Sequence, residues 1–169
     1  FDQENLIHHL KNIFPTEDVS CAVITQIGGM SNKNFKVLFK GSEYVLRVPG
    51  NGSDGMVDRT NEEFNAIAAC KMGVNPQIRY FNPQTGVKLA DFIVNAETLN
   101  TATIQRHDNM RKVADIYRKV HNSQVRLKNE FNIFQEIEKE LPKYLEFWKV
   151  HGRRKREYPT RFVQEHYRR

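Results

Sequence analysis

The sequence Ile27-Gly-Gly-Met-Ser-Asn-Lys-Asn-Phe35 is followed by Tyr44-Val-Leu-Arg-Val48 and then by Asn61-Glu-Glu-Phe64. The glycine pair lies between two strand-like runs, where a backbone without side chains lets amide N–H groups approach phosphate oxygens. Arg47 lies within the second run, and two glutamates lie in the helix-like third. A glycine turn, a strand cation and a helix carboxylate can together hold a nucleotide triphosphate.

The direction of the Arg47 side chain has two interpretations on pattern alone. If Val45 faces inward, the two-residue period of a strand puts Arg47 on the same face, where an unpaired charge is very costly. The expected partner is then a carboxylate of the next helix, Glu62 or Glu63. In the second interpretation Arg47 faces solvent at the edge of the sheet. The glycine turn alone likewise fits an ordinary structural hairpin.

Apolar periodicity predicts the order helix, three strands, helix, two strands, linker and further helices. The expected strands are 21–27, 34–40, 43–48, 77–81 and 87–94, and the expected helices are 2–14, with Asp2 as N-cap, 59–72, a helix containing Met110 to Val120, and 131–148, interrupted or restarted at Pro142. The side chains expected in the core include Phe35, Val37, Phe39, Phe64, Ile67, Ala68 and Met72. Gly41-Ser42 is expected to form a hairpin turn, and residues 49–57 a mobile loop.

Length and composition favour one domain, or one small domain with an appendage. The chain has 169 residues, of which 39% are apolar and 27% charged. No apolar run approaches the ~18 residues that span a bilayer, so we expect a cytoplasmic protein without a membrane span. Cys21 and Cys70 lack Cys-x-x-Cys spacing and lie in apolar contexts, which predicts buried thiols rather than zinc or a disulfide.

The net charge of +6 comes entirely from a basic tail at 149–169, which holds eight Lys or Arg and two Glu. Aromatic residues interleave with these charges, a pattern that can bind nucleic acid or an anionic membrane surface. We favour the alternative, a disordered or frame-altered tail whose charge keeps it soluble, and we regard nucleic acid as an improbable partner.

Several blocks together resemble the choline/ethanolamine kinase family, and the bacterial choline kinases above all. They are Ile27 to Asn34, Tyr44-Val-Leu-Arg-Val-Pro-Gly50, Glu62 followed fourteen residues later by Pro76, Asn95-Ala-Glu-Thr-Leu, Val120-His121 and Phe131-Asn-Ile-Phe-Gln-Glu-Ile-Glu. The resemblance runs from about residue 20 to 141 and does not extend into the tail. That family belongs to the larger aminoglycoside-phosphotransferase and protein-kinase-like fold.

The resemblance implies an α+β fold: a protein-kinase-like N-terminal lobe, with a five-stranded antiparallel sheet and a packed helix, followed by helices of an incomplete C-terminal lobe. The expected domains are a nucleotide-binding lobe at 1–94, a linker and first C-lobe helices at 95–148, and the tail at 149–169. The implied loop over the ATP phosphates consists of Gly28, Gly29, Met30, Ser31, Asn32 and Lys33.

The same resemblance assigns the rest of the nucleotide site. Arg47 takes the place of the strand lysine that grips phosphates, and Glu62 is its helix partner. Val45 would lie against adenine. Asp91 to Ile93 would connect the lobes and read the adenine edge through backbone groups, while His121 would be structural.

The catalytic sequence of the family is missing from these 169 residues. In the family a His-x-Asp-x-x-x-x-Asn loop supplies the base and a metal ligand, and a later Asp supplies a second; neither pattern occurs here. We therefore expect ATP as cofactor, Mg²⁺ only in a complete enzyme, and a small amino-alcohol substrate only if a C-lobe is supplied. Because phosphoryl transfer depends on positioning and metal charge, the chain alone is predicted to be inactive. The alternatives are a non-catalytic module that binds nucleotide or a partner, and nucleic-acid binding through the tail.

Overall fold

The computed structural model of the chain describes residues 3–29, 32–50, 57–130 and 132–150, the last four without their side chains. The helices are α1 (Gln3–Ile13), α2 (Arg59–Lys71), α3 (His107–His121) and α4 (Ile133–Val150). The strands are β1 (Val23–Gln26), β2 (Asn32–Phe39), β3 (Ser42–Pro49), β4 (Ile78–Phe81) and β5 (Lys88–Asp91). The predicted order of elements is confirmed, although N-cap Asp2 and most of the 49–57 loop lie outside the described residues.

The five strands form one antiparallel sheet in the order β1-β2-β3-β5-β4. This sheet and the helices confirm the α+β prediction. β3 lies at the centre, with β2 on one side and β5 on the other. The strand order in the sheet therefore differs from the order in sequence: β5 lies beside β3, although α2 and β4 come between them along the chain.

The hairpin turn between β2 and β3 lies one residue earlier than predicted. Phe39 pairs with Ser42, so the two loop residues are Lys40 and Gly41. Their φ angles of 49° and 74° are both positive, which is the geometry of a two-residue turn that matches the twist of the strands. Glycine relieves the strain at the second position only.

One face of the sheet packs against α1 and holds the core. Phe35, Val37 and Phe39 alternate inward from β2 as predicted, and Leu46 of β3 is fully buried. The rest of the buried cluster consists of Leu6, Leu10, Val19, Val48, Val87 and Leu89. The side chains on the opposite face of β3 and β5 therefore do not belong to this core.

The first strand is shorter than predicted because Cys21 lies in a 3₁₀ turn (Val19–Cys21). The Asp18 carboxylate accepts a hydrogen bond from the Ser20 N–H at 3.0 Å and so caps this turn. The prediction of a buried Cys21 thiol is wrong, since Cys21 is exposed. Cys70 is half-buried, and its thiol donates to the Pro76 carbonyl at 2.9 Å.

Helix α2 contributes less to the core than predicted. Ala68 is buried and Met72 half-buried, but Phe64 and Ile67 are 47% and 41% exposed. The helix packs on β4, an edge strand too short to cover its whole apolar stripe. Gly73 ends the helix with a φ of 68°, as predicted.

The later helices form without the predicted interruption. α4 is continuous through Pro142, although an interior proline removes a backbone donor and normally kinks or breaks a helix. The contacts divide the chain into a unit that ends at Asn129 and one that begins at Glu130. The lobe boundary near Asn95 stays a prediction. None of the helices in the described ranges is long and apolar enough to span a bilayer.

Truncation of Leu46 to alanine tests the assignment of the core face. Leu46 is 0% exposed, so Leu46→Ala should lower the free energy of unfolding by about 2–5 kcal/mol, as for other buried leucines. Leu38→Ala is the matched control on the neighbouring strand, because Leu38 is 42% exposed. Urea unfolding that gave equal losses for the two variants would contradict this assignment.

Candidate functional site

A cleft of about 460 Å³ opens on the face of the sheet away from the core. Its size falls within the ~300–1,000 Å³ that is typical of small-molecule sites. Val45, Arg47, Lys88 and Ala90 line it from the two central strands, where they alternate with the buried residues of the other face. The two-residue period of each strand thus separates core from cleft.

Arg47 points into this cleft, with only 13% of its side chain exposed. One guanidinium nitrogen, Nη1, forms an ion pair with Oε1 of Glu62. The other, Nη2, donates to the Gly86 carbonyl at 3.0 Å. The predicted pairing with a carboxylate of the next helix is confirmed, and Glu62 is the partner rather than Glu63.

Glu62 is held by two guanidinium groups. Its second oxygen, Oε2, accepts a hydrogen bond from Nη1 of Arg59 at 2.8 Å. Burial would raise the pKa of Glu62, but the hydrogen bonds and charges of Arg47 and Arg59 outweigh it and lower the pKa below its ordinary value. Glu62 is therefore a carboxylate at neutral pH, and both of its oxygens are occupied.

Gly86 lets these groups approach the backbone closely. It has a φ of 71°, and a Cβ there would lie 2.7 Å from Nε of Arg59. Any other residue would push that arginine away from Glu62. The Nε–H of Arg47 is buried and has no hydrogen-bond acceptor among the described residues.

Lys88 is a cleft residue that the sequence analysis did not find. It lies directly opposite Arg47 in the pairing of β3 with β5. Burial lowers the pKa of Lys88, the charge of Arg47 lowers it further, and Glu62 opposes the change. The only sequence signal was its position in the last strand, which becomes informative once β5 is known to adjoin β3.

The glycine turn lies at the mouth of the cleft, between β1 and β2. Gly28 and Gly29 have φ angles of 83° and 135°, and a Cβ at Gly29 would lie 2.0 Å from the Asn32 carbonyl oxygen. Only glycine fits there. Ile27 and Asn34 flank the turn through an N–H to carbonyl hydrogen bond of 2.9 Å, and both line the cleft.

The other residues of the predicted phosphate loop differ in whether they face the cleft. Met30 and Ser31 lie outside the described residues. Asn32 shares the strand face of Asn34, which lines the cleft, whereas Lys33 is exposed on the alternate face, that of Phe35. The phosphate role of these residues stays a prediction, and Asn34 has the better position for it.

The predicted connector, Asp91 to Ile93, runs along one side of the cleft. Its first two backbone N–H groups are occupied, since Asp91 donates to Gln77 at 2.9 Å and Phe92 donates to Glu43 at 3.0 Å. The Asp91 carboxylate pairs with Arg79 at 2.7 Å. Ile93 makes no hydrogen bond within the described part of the chain, and its role in adenine recognition stays a prediction.

Carboxylates do not gather at this cleft in the way that a metal site requires. In the described ranges no three His, Cys, Asp or Glu side chains form a group that could hold a metal ion. The chemistry of the site is cationic instead. Arg47 and Arg59 share one carboxylate, Glu62, and Lys88 lies opposite Arg47, an arrangement that suits an anionic ligand.

The profile of the choline/ethanolamine kinase family matches residues 23–166 of the sequence. The chain belongs to this family. The match confirms the resemblance that the motifs indicated. It also reaches beyond residue 141, so the expectation that the basic tail falls outside the resemblance is wrong.

Individual relatives agree with this assignment. Protein LicA of Haemophilus influenzae is 29% identical over 113 residues, which are 67% of this chain and 33% of that protein. The structure of choline kinase LicA from Streptococcus pneumoniae superposes with a TM-score of 0.66 at 25% identity, over 82% of this chain and 47% of that one.

Two further structures share the fold. LicA in complex with AMP gives a TM-score of 0.68 at 24% identity and covers 84% of this chain and 49% of that one. An ethanolamine kinase of Plasmodium vivax gives 0.62 at 18% identity and covers 85% and 38%. This chain spans about a third to a half of the length of these relatives.

Proposed function

We propose that this chain is the ATP-binding part of a choline-kinase-type phosphotransferase, which transfers a phosphoryl group from ATP to choline or a similar small amino alcohol. One observation carries the proposal: Arg47, fixed by Glu62 and the Gly86 carbonyl, points into a cleft beside a second cation. A neighbour of the same fold has been solved in complex with AMP, which supports a nucleotide as the ligand.

The residues of the cleft suit the base and the phosphates of a nucleotide. Val45 and Ala90 offer an apolar surface to the base, and the Ile93 N–H can donate to its edge. Arg47 can donate to phosphate oxygens while Glu62 holds it in place. The glycine turn brings backbone over the same region. Bound ATP would supply the phosphoryl group, and these side chains bind and orient it.

We infer that the chain does not turn over by itself. The family's base and metal ligands have no counterpart in the 169 residues, and in the described ranges no three His, Cys, Asp or Glu side chains form a group that could hold a metal ion. A general base alone contributes ~10²–10⁴-fold, and the loss of metal ligands adds to that. Mg²⁺ and the amino alcohol would then require groups that this sequence does not contain. We expect the protein in the cytoplasm, where ATP is supplied.

Two assays test the proposal. Calorimetric titration should show that ATP binds with one nucleotide per chain, and thermal unfolding should show that ATP raises the melting temperature. Incubation with radiolabelled ATP, Mg²⁺ and choline should give no phosphocholine above background. Absence of ATP binding would refute the proposed site, whereas phosphocholine formation would refute the inferred inactivity and leave the site intact.

A non-catalytic nucleotide-binding module is the second candidate, and the missing catalytic sequence favours it. The two differ in what happens when the family's C-terminal lobe is added as a separate chain. Restored phosphocholine formation favours a kinase part, and nucleotide binding without rescue favours a module. Nucleic-acid binding is less well supported, because the family match runs through residue 166.

A further inference from the structure

We propose that Lys88 is a second phosphate-binding cation of the nucleotide site, whose Nζ donates to a non-bridging phosphate oxygen beside Arg47. This inference rests on the proposed function and adds a residue to it. It also gives the cleft a preference for nucleotides with more phosphate groups over adenosine.

The position of Lys88 is the first support. β5 places it directly opposite Arg47 on the cleft side of the sheet. It also lines a second depression, beside Glu62 and Asn75. Two cations on adjacent central strands thus reach the same region, and their separation is set by backbone pairing rather than by flexible loops.

The lack of a carboxylate for Lys88 is the second support. Both oxygens of Glu62 are engaged, one by Arg47 and the other by Arg59. Across the part of the chain that the structure describes, no ion pair or hydrogen bond is made by the Lys88 ammonium group. Burial of a cation without a partner is unfavourable, so Lys88 is set to receive an anion.

A simpler role for Lys88 is to balance Glu62 in the folded chain. The charges do not favour it, because two arginines already outnumber that carboxylate and the charge of Arg47 acts against Lys88. In the free protein the charged form of Lys88 is therefore disfavoured, first by burial and then by Arg47, and the pKa of Lys88 is lowered. A polyphosphate would neutralise Arg47 and Lys88 together, which accounts for two like charges lying side by side.

Binding of a phosphate series tests the role of Lys88. Adenosine, AMP, ADP and ATP are titrated against the wild type, Lys88→Met, Lys88→Arg and Lys112→Met, where Lys112 is an exposed control. Lys88→Met should weaken ATP binding roughly tenfold or more, as expected for loss of one charged hydrogen bond. Adenosine affinity should not change, Lys88→Arg should retain part of the ATP affinity, and Lys112→Met should equal the wild type.

Thermal unfolding of the same variants shows whether they fold. Without ligand, Lys88→Met should melt at or above the wild-type temperature, because it removes a partly buried ammonium group and its repulsion with Arg47. Its ATP-induced shift in melting temperature should be smaller. Equal loss of adenosine and ATP affinity would overturn the inference, as would a melting temperature well below that of the wild type.

The failure of this inference is distinguishable from that of the proposed function. If the wild type binds ATP and Lys88→Met binds it equally well, the Lys88 role is wrong and the nucleotide site stands. If the wild type binds none of the four compounds, both are wrong.

Chemical labelling gives an independent readout. Pyridoxal 5′-phosphate forms an imine with a free lysine amine and releases water, and borohydride reduces the imine to a stable secondary amine. Lys88 lines the cleft, so ATP should protect it from labelling, whereas labelling of the exposed Lys112 should be the same with and without ATP. Labelling of Lys88 that ATP does not prevent would count against a phosphate contact.

Discussion

Replacement of Arg47 with methionine should reduce ATP affinity roughly 100-fold or more, the largest effect expected of any single change in the cleft. Two charged hydrogen bonds to phosphate would be lost, and each contributes about 1.5–3 kcal/mol. Calorimetric titration measures the change. The fold should survive, because Glu62 keeps its hydrogen bond from Arg59 at 2.8 Å. Melting temperature and far-UV circular dichroism would verify that.

Two further variants show whether the effect is specific to the Arg47 guanidinium. Arg47→Lys keeps the charge but lacks the fork that bonds Glu62 and a ligand at once, so its ATP affinity should fall between those of the wild type and Arg47→Met. Arg118→Met removes an arginine whose side chain is 69% exposed on α3 and should bind as the wild type does. ATP affinity that is the same in all four proteins would show that the cleft is not the nucleotide site.

The sequence predicted the parts of this site that depend on local pattern. A glycine pair between strand runs, an arginine at a fixed step from Val45 and a glutamate at the start of a helix each follow from short-range periodicity. The structure brings Arg47 and Glu62 into contact because the first turn of α2 faces the cleft side of β3. On pattern alone, two points needed coordinates: whether Arg47 faces inward, and whether Glu62 or Glu63 is its partner, since adjacent helix residues point about 100° apart.

Features that depend on strand order escaped prediction. Lys88 matters because β5 inserts between β3 and β4, and sequence periodicity says nothing of which strands become neighbours. The prediction that Phe64 lies in the core failed for a related reason. Its helical spacing indicates an apolar stripe, but the burial of that stripe depends on the length of the element that packs against it. Which backbone N–H groups of the connector are already hydrogen-bonded likewise depends on the neighbouring strand: the Phe92 N–H donates to the Glu43 carbonyl.

Removal of the Glu62 carboxylate should have the second-largest expected effect, a loss of protein stability together with weaker ligand binding. Glu62→Ala leaves two guanidinium groups, which are 13% and 9% exposed, without their carboxylate. We expect the free energy of unfolding at pH 7 to fall by about 2–3 kcal/mol, somewhat below the ~3–5 kcal/mol for fully buried pairs, because Glu62 itself is 20% exposed. Urea unfolding gives the value. Glu63→Ala on the same helix should cost much less.

The pH dependence of this loss identifies its cause. The pKa of Glu62 lies below its ordinary value of 4.5 in the folded chain, so the unfolded chain binds the proton more readily. The contribution of Glu62 is therefore fully present above about pH 4.5 and is lost as the pH falls through the lowered folded pKa. The stability difference between the wild type and Glu62→Gln should shrink over that range. A Glu62→Gln difference that is constant from pH 7 to pH 3 would mean that packing, and not the charge of the carboxylate, links α2 to Arg47.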